Sequence, residues 1–176
     1  MKLLLYFALI FNLSLLISEE MIFGKEIINE DMIIIFEAAP KDTIFPEGNF
    51  LKESETDIHI EMLINWSSTN TKGSPVGGFI PYLNVIAKVA NKNGMSKSYK
   101  LTPHLNISDN FHYAQNIKLP GEIDDIYDVT IEIVPPKENE LGIHFDWKKE
   151  HKILIDRKTF KYKNLSFKEI ALKSRR

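Results

Sequence analysis

Asp57-Ile58-His59-Ile60-Glu61-Met62-Leu63-Ile64-Asn65-Trp66 alternates without a break. Ile58, Ile60, Met62, Ile64 and Trp66 fall on one side, Asp57, His59, Glu61, Leu63 and Asn65 on the other. A period of two marks a β-strand with one face against a core, because successive side chains leave opposite sides of the backbone. The flanking sequence repeats the pattern. Met32 to Phe36 is a β-branched run stopped by the Pro40 and Pro46 region, and Ser67 to Gly78 is a polar, Gly-rich loop. Phe79 to Val89 reads as a long strand, closed by an Asn-Gly turn at Asn91-Lys92-Asn93-Gly94. Further strands fit Ser98 to Leu101, Ala114 to Leu119, Ile126 to Val134 and Thr159 to Phe167, punctuated by Pro120-Gly121 and Pro135-Pro136. Helical spacing is confined to Phe167 to Lys173. Many short strands with frequent turns predict an all-β domain, a β-sandwich.

The chain begins Met1-Lys2, followed by an apolar run from Leu3 to Phe11 that continues weakly to Ile17 and ends at Ser18-Glu19-Glu20. This is shorter than the ~20 residues a membrane-spanning helix needs and reads as a secretory signal peptide over residues 1–24. Ser18 and Gly24 are both small enough to precede the cut, and an uncleaved anchor is the alternative. Residues 25–176 are then one exported domain that does not span a membrane. Over all 176 residues the charges balance, 22 Lys and Arg against 24 Asp and Glu, which excludes a nucleic-acid binder relying on a net basic surface. The absence of cysteine removes disulfides, thiolate nucleophiles, iron–sulfur clusters and blue copper. No His-Glu-x-x-His helix, Gly-x-Ser-x-Gly elbow or phosphate-binding loop is present, so no enzyme is expected.

What remains is histidine chemistry. Two residues apart on a strand, His59 and Glu61 leave the same face about 6.5–7 Å apart, close enough to converge on one ion. Alone, this pattern is a weak signal that ordinary solvated residues on an outer sheet face account for better. Three segments, in order, sharpen it: the Asp57-x-His59-x-Glu61 strand, Pro81-Tyr82-Leu83, and Ser108-Asp109-x-x-His112-Tyr113-x-x-Asn116-x-Lys118-Leu119. With the Pro135-Pro136 to His144 stretch, they resemble a bacterial family of periplasmic iron-uptake proteins, the ferrous-iron transport protein or pathogen-specific membrane antigen family.

The resemblance implies an immunoglobulin-like β-sandwich that forms homodimers, binds copper and acts beside an inner-membrane iron permease. It places metal ligands at His59, Glu61, His112 and His144. The family's methionine ligand has no counterpart here. Leu105 holds its spacing before His112, and His104 lies one step earlier, so His104 either replaces the thioether or the site loses a ligand. Imidazole in place of thioether favours Cu(II) over Cu(I), with iron as a second candidate ion. Asp57, Asp109 and Asp146 are candidates for orienting the ligating imidazoles. A copper-buffering protein unrelated to iron, and an interaction module in which the histidines are incidental, stay open.

Overall fold

The computed structural model describes residues 20–107 and 109–174; most of the expected signal peptide lies outside them. The described residues are all-β, as expected, with two short α-helices. Its strands are β1 (Met21–Ile28), β2 (Met32–Ala39), β3 (Ile58–Trp66), β4 (Asn84–Asn91), β5 (Ser96–Asn106), β6 (Asn110–Ile117), β7 (Ile126–Val134) and β8 (Lys158–Ser166). Helix α1 (Phe145–His151) precedes β8, and α2 (Lys168–Leu172) follows it. All eight strands pair antiparallel in one sheet ordered β1-β2-β3-β6-β5-β4-β7-β8.

β5 makes this order possible. Its first half pairs with β4 up to Val85↔Leu101, and its second half pairs with β6 from Thr102↔Ala114 onward. The strand was expected to stop at Leu101. It runs on through Pro103 because β4 no longer lies beside it, so the missing N–H breaks no ladder there. The sheet curls until its edges nearly meet. Tyr162 of β8 donates to Glu26 Oε1 of β1 (2.9 Å) and packs edge-on against Phe23. Gly24 has no side chain at this seam because a Cβ would run into the Tyr162 ring.

The enclosed core holds the predicted face of β3 (Ile58, Ile60, Met62, Ile64, Trp66), with Ile34 and Phe36 of β2 and alternate residues of β4 and β7. Ile170 and Ala171 of α2 join it. Three segments depart from expectation. Residues 79–83 are not strand: Tyr82 takes a φ of 64°, and the bend is pinned by Tyr113, whose hydroxyl donates to Ile80 O and accepts from Leu83 N, both at 2.9 Å. Helix α1 buries no residue, so it carries no apolar stripe to betray it. β1 begins inside the stretch assigned to the leader.

Candidate metal centre

On the β3 face opposite the core, His59 and Glu61 are buried rather than solvated, at 3% and 0% exposure. β6 lies beside β3 with Glu61 opposite Ala114 and His59 opposite Asn116; β5 lies beside β6 with Thr102 opposite Ala114 and His104 opposite His112. Residues directly opposite share a face, so His59, Glu61, His112 and His104 all stand on one side of three neighbouring strands. Alternation on β5 turns His104 inward and leaves Leu105 65% exposed. Ring centroids lie 5.4 Å apart for His59–His104, 6.0 Å for His104–His112 and 6.4 Å for His59–His112. One ring nitrogen from each falls within 4.8 Å of the other two. Ala114 stands on the same face, opposite Glu61 on one side and Thr102 on the other, and contributes only a methyl.

His59 Nε2 lies 3.5 Å from Glu61 Oε1. Two bonds of about 2.05 Å to a common ion would span that gap at an angle of roughly 117°, near tetrahedral. The other ring nitrogens are held from behind. His59 Nδ1 is 2.8 Å from Asn116 Oδ1, His112 Nδ1 is 3.2 Å from Asn110 O, and His104 Nε2 is 3.1 Å from Thr102 Oγ1. Burial first, and then His112, hold the His104 imidazole down at about 4, so it is neutral at pH 7 with a lone pair to give. Phe50 packs edge-on against it at 5.0 Å. The cluster opens through a cleft of ≈ 350 Å³ walled by Phe45, Phe50, Pro103 and Leu105.

Beside Glu61, at the paired position on β2, stands Glu37. Burial, and then Glu20 and Asp109, raise its carboxyl to about 7. Oxygens of Glu20, Glu37 and Asp109 lie within 4.8 Å of one another.

His144 is not part of the cluster of its own chain. It precedes α1 and lines a groove with Trp66 and Trp147, and Trp66 lies roughly 23 Å along β3 from His59. The expected orienting carboxylates do other work. Asp57 accepts from Leu119 N (2.8 Å) and Lys118 (3.3 Å), and Asp146 Oδ1 accepts from Trp147 N. Asn116 and Thr102, which touch the imidazoles, were missed. Asn116 stood in the quoted motif, but only strand pairing shows what it faces.

An all-β domain that gathers three imidazoles, two buried and one half-buried, beside a buried carboxylate presents a donor set of the kind that suits a transition-metal ion. The Fe2+ transport protein family model matches residues 17–169, and the chain belongs to that family. It is 34% identical over 96 residues to a 34 kDa membrane antigen of Treponema pallidum, covering 53% of this chain and 46% of that protein. The match thus spans about half the length of that relative. A copper-bound variant of Campylobacter jejuni P19 aligns with a TM-score of 0.70 at 26% identity, covering 83% of this chain and 96% of that one. A copper-bound variant of FetP from uropathogenic Escherichia coli strain F11 aligns at 0.69 and 25%, covering 84% and 99%.

Proposed function

We propose that this protein holds a copper ion on His59, Glu61, His104 and His112 and serves iron uptake in the periplasm. One observation carries the reading: imidazoles from three strands bring ring nitrogens within 4.8 Å of one another, with the Glu61 carboxylate 3.5 Å from His59, on a fold shared with copper-bound variants of P19 and FetP. His104 takes the place of the thioether, so the site favours Cu(II). Iron is the cargo, and the oxygens of Glu20, Glu37 and Asp109 beside Glu61 are hard donors suited to it. The protein acts by binding and hand-over to an inner-membrane iron permease, without covalent catalysis. Among the described residues no helix is long and apolar enough to cross a membrane.

His144 joins the site only from a second copy of the chain, which makes the working unit a homodimer. The leader ends near Ser18, since a cut at Gly24 would remove Phe23 from the packed seam of β1. The change of partner along β5, from β4 to β6, is the basis for reading the finer architecture as an immunoglobulin-like sandwich.

Calorimetric titration of the metal-free protein with Cu(II) tests the site. The wild type binds one ion per chain, and His59→Ala and His112→Ala weaken binding by at least tenfold. Equal binding by all three proteins, or none by the wild type, contradicts it. Slower growth of a deletion strain under iron limitation, restored by the wild type but not by His112→Ala, supports iron uptake over copper buffering.

A further inference from the structure

Asn116 is 3% exposed and uses both ends of its side chain. Nδ2 donates to Asp42 O at 2.7 Å and to Leu51 O at 2.9 Å, while Oδ1 lies 2.8 Å from His59 Nδ1. Backbone carbonyls only accept, so the end facing them must be the NH2 group, and the end facing His59 must be oxygen. That oxygen also only accepts. The proton of a neutral His59 is therefore on Nδ1, and the lone pair is on Nε2, the atom that faces Glu61 at 3.5 Å. The two carbonyls belong to the segment between β2 and the turn at Glu53–Glu55. This segment supplies Phe45 and Phe50 to the cleft wall. One amide thus ties a metal-ligand histidine to both ends of the loop that roofs the cleft.

We propose that Asn116 is a positioning residue that fixes the His59 tautomer and makes closure of the 42–51 loop depend on metal occupancy. An ion on Nε2 draws electron density from the ring and makes Nδ1–H a stronger donor. The Asn116 carbonyl is polarised in turn, and its NH2 group binds Asp42 O and Leu51 O more tightly, because hydrogen bonds in a chain reinforce one another. Coupling is reciprocal, so a closed loop also tightens the metal site.

The inference rests on the metal-site reading, and its first test needs no metal. In long-range 1H–15N correlation spectra of the metal-free wild type above pH 7, His59 shows a protonated Nδ1 and an unprotonated Nε2; the opposite tautomer overturns the proposal. Asn116→Asp keeps an acceptor for His59 but loses both donors to the loop. It retains the tautomer and shows faster hydrogen exchange across 42–51. Asn116→Ala loses both functions, and its Cu(II) affinity falls about 10–100-fold. Cu(II) slows exchange of 42–51 in the wild type and leaves it unchanged in both variants. An unchanged loop in the copper-bound wild type, or an Asn116→Asp loop that responds like the wild type, refutes the coupling. Absence of copper binding by the wild type overturns the metal reading instead, and leaves the tautomer result to be judged on its own. Should Asn116→Ala not fold, the wild-type spectrum and Asn116→Asp still decide.

Discussion

Ala114→Leu should abolish copper binding while leaving the protein folded. Ala114 lies directly opposite Glu61 on one side and Thr102 on the other, and it is fully buried. Points mutually within 4.8 Å share a centre no more than about 2.8 Å from any of them. An ion with bonds near 2 Å needs only a sub-ångström contraction of that ring. A carbon atom needs about 3.5 Å from each nitrogen, so a leucine branch in that space drives the ligands apart. Overpacking of this kind costs about 1–3 kcal/mol, a fall in Tm of roughly 2–12 °C for a domain of this size. Thermal melts with and without Cu(II) separate the two effects. At a copper concentration of 100 times Kd, the wild type gains about 2.7 kcal/mol, and the variant gains nothing. Ala114→Ser, nearly isosteric, retains the copper-dependent rise. Copper binding by Ala114→Leu within a few-fold of the wild type would refute the geometry.

Three further predictions follow from particular residues. Glu37 has its folded pKa raised to about 7 by burial and by Glu20 and Asp109, so the native state binds its proton more tightly than the unfolded chain. Its contribution is present below pH 4.5 and is lost as pH rises to about 7. Glu37→Gln of the metal-free protein should therefore gain on the wild type in urea melts across that window; a constant difference contradicts the shift. His104→Met should move the site toward Cu(I), read by competition with a Cu(I) chelator, and unaltered preference contradicts the role given to His104. Gly24→Ala forces a Cβ into the Tyr162 ring and should cost about 1–3 kcal/mol; an unchanged Tm would show that the seam yields freely.

How much of this was legible in the sequence depends on range. The alternation of Asp57 to Trp66 is local, and it correctly separated the core face from the face bearing His59 and Glu61. Ile126 to Val134 and the Asn91–Gly94 turn were read on the same grounds. Where a neighbour decides, the sequence misled. Pro103 sits in a strand because β4 has left its side, and Tyr82 bends the chain because the remote Tyr113 clamps the residues around it. His59 and Glu61 were indistinguishable from solvated residues because their burial depends on remote chain, such as Asn116 of β6, which bonds both His59 and the 42–51 backbone. Whether His104 stands with the other imidazoles came down to register: pairing with His112 puts both on one face, which spacing alone could not show.

X-ray absorption at the copper edge of the loaded wild-type protein reads the donor atoms themselves. The expected spectrum has a first shell of nitrogen and oxygen only, near ~2.0 Å, with outer-shell scattering from at least three imidazoles and no sulfur near ~2.3 Å. A sulfur shell, or a shell of oxygen without imidazole scattering, would contradict it.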